Sequence, residues 1–285
     1  MDRPSFKHRF IVALCALVLL PGALRAAPVI QPPKGTWALR GGIPQIVSLL
    51  YALPSKGGTN LDVVQYRIGA RTPLQSYTVE MTQLMHVIVV RDDFREFLHL
   101  HPHFSAGHFT VPIAIASGHR YYVYADSTPS GMKQQVFRFQ IGAGAQPRTL
   151  STPLSPSAPT AAVGPYAVHL STTRLSALAP QTLLVSINKG GIAATDLHPY
   201  LGAAAHVVLI NTSNLEYVHV HPEDTQAQHA AMGADAMAGM KSSGSVSGKM
   251  SLALPTLSRH AAYKLWLQFR GDKTVYVAPF TIVAQ

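Results

Sequence analysis

Three histidines at a fixed spacing occur twice in this chain, and they are its strongest candidates for chemistry. His86 is followed by His99 and His101-Pro102, and His206 by His219 and His221-Pro222. The text between them matches as well, HVIVVRDDFREFLHLHP against HVVLINTSNLEYVHVHP. Imidazole is a common ligand of copper, zinc, nickel and iron. Two copies of one pattern predict tandem modules, with His86, His99 and His101 as a first metal site and His206, His219 and His221 as a second.

The elements that must position these rings read as strands. HVIVV (86–90), EFLHLH (96–101), YYVYA (121–125) and QVFRFQI (135–141) are short, β-branched or aromatic, and bounded by Gly, Pro or Asp. The same rhythm returns in HVVLI (206–210), EYVHVH (216–221), AYKLWLQF (262–269) and TVYVAPFTI (274–282). Helical periodicity is hard to find. The fold class expected is all-β, with two tandem antiparallel β-sandwich domains of immunoglobulin-like or cupredoxin-like type. If Val90 pairs with Arg95 across a four-residue loop, His86 faces His99; Ile210 paired with Leu215 does the same for His206 and His219. Alternate residues of a strand share a face, and directly opposed residues do too. All three rings then meet at the open end of each hairpin.

The only cysteine, Cys15, lies in an N-terminal apolar run, so thiolate ligands are not expected. Copper is the first metal expected, because imidazole suits Cu(II) and methionine suits Cu(I); zinc is the alternative. The segment 223–250 carries four of the eight methionines, and His229, Met232, Met237 and Met240 are weaker ligand candidates within it. Met85 is assigned to packing, and His103 and His108 to the surface. The competing reading is a hydrogen-bonded structural cluster, since buried imidazoles need partners with or without a metal.

Residues 1–26 read as a signal peptide, with Arg3, Lys7 and Arg9 before the apolar run Phe10–Leu20 and a small-residue site at Ala26. That run is short for a bilayer, which needs about 20 residues. No stable membrane span is expected in the mature chain, and the periplasm or secretion is the expected location. Cleavage would remove four of the 23 Lys and Arg and one of the 13 Asp and Glu, leaving a formal charge of +7 against +10. The basic residues are scattered singly, which argues against a nucleic-acid partner. The expected organisation is a first sandwich over 27–141, an Ala/Pro/Ser/Thr-rich linker over 142–164, and a second sandwich over 165–285 with the Met-rich insertion 223–250. Tyr121–Asp126 aligns with Tyr263–Gln268, so Asp126 of the first module becomes Gln268 in the second.

The stretch Met85–Phe94 closing in His99-Leu100-His101-Pro102, followed by Gly118–Asp126, resembles secreted bacterial tandem β-sandwich proteins. These carry an MH-V-I-V-V…H-x-H-P hairpin and are similar in style to periplasmic copper-resistance and heavy-metal-binding proteins. The resemblance covers most of residues 61–282. It implies a metal-ion partner and another envelope metal carrier or exporter, with sequestration, transfer or resistance as the task. The alternatives are a metal-free structural or adhesion protein and a metal-dependent enzyme. An enzyme would want a general base, and the two copies share no carboxylate beside their histidines.

Overall fold

The computed structural model describes residues 33–142, 155–222 and 246–285, and every regular element among them is a strand. The expected signal peptide, most of the expected linker, and His229, Met232, Met237 and Met240 lie outside the described residues. The first half holds β1 (Thr36–Trp37), β2 (Ile46–Ser55), β3 (Gly58–Arg67), β4 (Tyr77–Thr78) and β5 (Met85–Arg91). It continues with β6 (Phe97–Leu100), β7 (His103–Ser105), β8 (His108–Ile113), β9 (Tyr121–Pro129) and β10 (Gln135–Ile141). The second half holds β11 (Thr160–Val163), β12 (Tyr166–Leu170), β13 (Arg174–Leu175), β14 (Gln181–Lys189), β15 (Ile192–Ala193) and β16 (Leu197–His198). It ends with β17 (His206–Asn211), β18 (Tyr217–Val220), β19 (Lys249–Leu254), β20 (Ala261–Gly271) and β21 (Thr274–Ala284).

These strands make two sandwiches of antiparallel sheets. In the first, the sheet β1-β10-β9-β5-β6, with β4 also on β9, packs on β2-β3-β8-β7. In the second, β13-β21-β20-β17-β18, with β16 also on β20, packs on β11-β12-β14-β15, where β19 pairs β14. Among these contacts β13 and β21 run parallel. Each sandwich has its own core, built around Val63, Val87, Val89 and Val123 in the first and Val185, Val207, Leu209 and Leu265 in the second.

The histidine-bearing strands are buried on both faces. From Met85 to Val90 every residue of β5 is buried, and so is every residue of β17. Met85, Val87 and Val89 point into the first core, which bears out the packing role of Met85. The alternate residues Ile88 and Val90 enter a third apolar cluster, which also holds Tyr124, Val208, Ile210, Tyr217 and Trp266. That cluster lies between the sandwiches, so the two six-stranded sheets pack face to face.

The contact follows a pseudo-twofold pattern. Phe97 and Tyr217 occupy matching places, opposite Val90 and Ile210. Tyr124 and Trp266 match likewise, opposite Ile88 and Val208. Each aromatic of one module stacks on the other module's partner: Phe97 on Trp266 with centroids 4.9 Å apart, and Tyr217 on Tyr124 at 5.2 Å. Backbone bonds join the modules too, with Tyr217 N donating to Ala38 O at 2.9 Å.

Three expectations need correction. The hairpin registers are Val90↔Phe97 and Ile210↔Tyr217, two residues from the pairing read in the sequence. Arg91 N and Asn211 N bond across to Glu96 O and Glu216 O, so each loop still spans four residues but lies one residue further along the chain than expected. Their loops turn at Phe94 and Leu215, both at positive φ; Phe94 leaves the solvent side and is buried between the modules. Residues 160–163, placed in the linker, form β11 on β12. Met250, placed in the Met-rich insertion, lies on β19 in the second core.

Candidate metal centre

A two-residue change of register keeps every side chain on its face, whereas a change of one would have reversed it. The rings therefore converge as expected although their cross-strand partners differ. His99 lies opposite Ile88, and His219 opposite Val208. On the other flank, His86 lies opposite Asp126, and His206 opposite Gln268. All these residues look toward the other sandwich.

The two expected sites are consequently one cluster. His86 and His219 have ring centroids 5.2 Å apart, and so do His99 and His206. Among the described residues two groups of three could hold a metal ion: His86, His99 and His101, and the cross-module set His99, His206 and His219, in each of which the ligand atoms lie within 4.8 Å of one another. The first expected triplet is thus one of these groups, whereas in the second His99 of the first module joins His206 and His219 in place of His221, because the sheets carrying the histidines are the sheets that pack together.

Proton placement gives this cluster its character. His86 Nε2 lies 3.1 Å from Glu80 O, and His206 Nε2 lies 3.0 Å from Tyr200 O. A carbonyl oxygen only accepts, so both rings carry their proton on Nε2 and a lone pair on Nδ1. His99 Nδ1 donates to Gln268 Oε1 at 2.8 Å, and His219 Nδ1 donates to Asp126 Oδ2 at 3.3 Å. Those two rings keep their lone pairs on Nε2. Four protons thus point outward to acceptors, and four lone pairs point inward. His86 Nδ1 stands 3.0 Å from His99 Nε2, and His206 Nδ1 stands 3.4 Å from His219 Nε2. With no proton between them, such pairs repel unless a cation sits close by. His221 Nε2 approaches His206 Nδ1 at 3.0 Å, and His101 Nε2 is buried without a hydrogen-bond partner.

The outward partners resemble the supporting layer of metal sites, where a ligand histidine gives its other N–H to a carboxylate or carbonyl. The turns that present Glu80 O and Tyr200 O are strained. Met81 and Thr82 have φ of 45° and 67°, and Leu201 has φ of 51°. Positive φ is a genuine outlier for a β-branched residue such as Thr82, and strain of this kind persists where the surroundings over-determine it.

Burial above all keeps His86, His99, His101, His206 and His221 neutral. Burial, followed by repulsion from His219, pushes His86 down to about 3. The same two causes take His101 to about 4, and burial with His219 and His86 takes His221 to about 2. His99 and His206 lie well below the ordinary value, again chiefly through burial. For Asp126, burial acts upward, but His219, His86 and Gln134 outweigh it and hold the carboxylate below its usual range. A histidine with a folded pKa below its unfolded value near 6.5 stabilises the fold fully above pH 6.5. That contribution is lost as the pH falls toward the folded value, at about 1.4 kcal/mol per ring for each pH unit between the two. The urea midpoint of the metal-free protein is therefore expected to fall steeply from pH 7 to pH 5. A midpoint unchanged over that range would show that the rings are not held neutral.

The remaining sequence candidates separate as expected. His103 and His108 are exposed, the latter paired with Asp62 at 2.9 Å. The residues missed at the sequence level are those that accept the outward protons. Asp126 and Gln268 stand at matching places in the repeat, but each serves a histidine of the other module. The carbonyls of Glu80 and Tyr200 are backbone groups and leave no signature in residue type.

Among the described residues no helix is long and apolar enough to cross a membrane. A family profile described as a domain of unknown function (DUF8832) matches residues 161–285, which is under half of the chain and coincides with the second sandwich from within β11 onward. No curated protein matches the chain. The chain is thus similar in its second half to a domain family without an assigned activity, and the chemistry of the histidine cluster carries the functional reading.

Proposed function

We propose that this protein binds a transition metal through the joined histidine cluster in an extracytoplasmic compartment, with copper as the first candidate and zinc as the alternative. Its task is sequestration, transfer or resistance, with another envelope metal carrier or exporter as the partner. The observation that carries the reading is the pair of inward lone pairs 3.0 Å apart on His86 Nδ1 and His99 Nε2, with both outer nitrogens already engaged. A hydrogen-bonded structural cluster would place a proton between them. A metal-binding cluster leaves that space for the ion.

Three further features support the proposal. The N-terminal stretch has the charge, apolar run and small-residue site of an export signal. Imidazole ligands, unlike thiolates, persist in an oxidising compartment. The hairpin motif resembles that of secreted bacterial tandem β-sandwich proteins, which are similar in style to periplasmic copper-resistance and heavy-metal-binding proteins. Elemental analysis of the exported protein against the His99→Ala/His101→Ala variant tests the proposal. The wild type is expected to retain copper or zinc in stoichiometric amount through gel filtration, and the variant less than a tenth of it. Equal metal content in the two proteins would remove the cluster as the site.

A further inference from the structure

We infer that the cluster is one four-histidine tetrahedral centre, formed by His86 and His99 of the first sandwich and His206 and His219 of the second, and that its ion clasps the two modules together. The inference rests on the metal-binding reading above and adds the number of ions, their coordination and their class.

The rings themselves describe the polyhedron. Centroid separations are 5.2 Å for His86–His99, 6.0 Å for His86–His206 and 5.2 Å for His86–His219. They are 5.2 Å for His99–His206, 5.4 Å for His99–His219 and 5.6 Å for His206–His219. All six edges fall between 5.2 and 6.0 Å, which makes a nearly regular tetrahedron of rings. A zinc-type ion bonds imidazole nitrogen at about 2.0–2.1 Å, which puts ring centres about 3.2 Å from the metal and about 5.2 Å from one another. The same bond length sets ligand nitrogens about 3.3 Å apart. The two inward pairs within a module are at 3.0 and 3.4 Å, and across the modules the nitrogens of His99, His206 and His219 lie within 4.8 Å of one another. Each of the four rings also has its proton turned outward onto an acceptor, so none needs to be deprotonated to serve.

His101 and His221 play a different part. Each lies against its own module's pair, His101 at 4.8 Å from His99 and His221 at 4.5 Å from His219, with His221 Nε2 placed 3.0 Å from His206 Nδ1 to donate to that nitrogen when no ion is bound. His221 also lines a cavity of about 200 Å³ together with Glu80, Asp126, His86 and His219. The two carboxyl groups on that wall favour a cation, and the cavity is the route by which the ion reaches the tetrahedron.

A tetrahedral set of four neutral nitrogens has no open position and no charge of its own. It suits a d10 ion, zinc(II) or copper(I), which imposes no geometry from its d electrons, and it fits poorly with the tetragonal field preferred by copper(II). Ligands from both sandwiches make the ion a cross-link between them.

Anaerobic loading of the mature protein with zinc(II), with copper(I) and with cobalt(II) as a coloured probe tests the inference. One equivalent of ion per chain is expected after gel filtration, and cobalt is expected to give the intense visible bands of tetrahedral coordination. His86→Ala and His206→Ala, one in each module, are each expected to reduce occupancy below a tenth, while His101→Ala keeps at least half. Two equivalents in the wild type, with one retained in each of the first two variants, would mean separate sites and would overturn this inference while leaving metal binding intact. Weak six-coordinate cobalt bands at one equivalent would overturn the tetrahedron alone. No uptake of any of the three ions would end both proposals. The wild-type stoichiometry and spectrum decide the matter even if a variant fails to fold.

Discussion

Replacing Asp126 with Asn is expected to weaken metal binding by about 10–100-fold, the usual cost of losing a partner behind a metal-bound histidine. Asp126 is buried and accepts from His219 Nδ1 at 3.3 Å, from Tyr217 at 3.1 Å and from Gln134 at 2.8 Å. Its negative charge makes His219 a stronger donor to an ion at Nε2 and fixes the ring's tautomer. An asparagine keeps one acceptor but removes the charge, and its amide N–H₂ would face a donor on one side. The matching residue Gln268 already serves His99 without a charge, so Gln268→Glu is expected to tighten binding. Competition against a chromophoric chelator measures both effects. Affinities of the two variants within twofold of the wild type would show that the outward partners do not tune the site.

Trp266→Ala is expected to cost about 3–5 kcal/mol, the range for removing a large buried aromatic side chain. Trp266 is 3% exposed and stacks on Phe97 at an interplanar angle of 15°, with Phe94 beside it. It belongs to neither sandwich core but to the apolar cluster between them, so its loss is aimed at the contact between modules. Urea unfolding is expected to separate into two transitions in this variant, because the modules no longer unfold together. Trp37, packed edge-on against Phe137 in the first sandwich, remains as the fluorescent reporter of that module. A single transition with a midpoint close to that of the wild type would show that the aromatic contact contributes little. Metal affinity is expected to fall in the same variant, since the two halves of the centre depend on this contact to meet.

Much of the site was readable because it depends on local rules. His99 and His101 share a face because strands alternate with period two, and the repeat HVVLI…HVH places the second triplet by the same rule. Even the mistaken loop pairing did no harm to the grouping, since the register error was an even number of residues. Face-to-face packing had a signal that is clear once the fold is seen. HVIVV and HVVLI are unbroken apolar runs, and such runs mark strands covered on both sides, while β8 shows the in-out alternation of a strand covered on one side. Met250 misled for the opposite reason: polar neighbours from 241 to 248 conceal the point where β19 begins.

The type and spacing of the residues determined an all-β chain, two copies of one hairpin, and three imidazoles on one face of each, since strand periodicity acts over a few residues and needs no partner. Only the tertiary structure decided that the two triplets meet in one cluster, and that Asp126 and Gln268 each support a histidine of the opposite module. That outcome depends on Phe97 meeting Trp266 and Tyr217 meeting Tyr124 across the gap between sheets. Contacts of this kind are fixed by the shapes of two folded surfaces and leave no periodic trace along the chain.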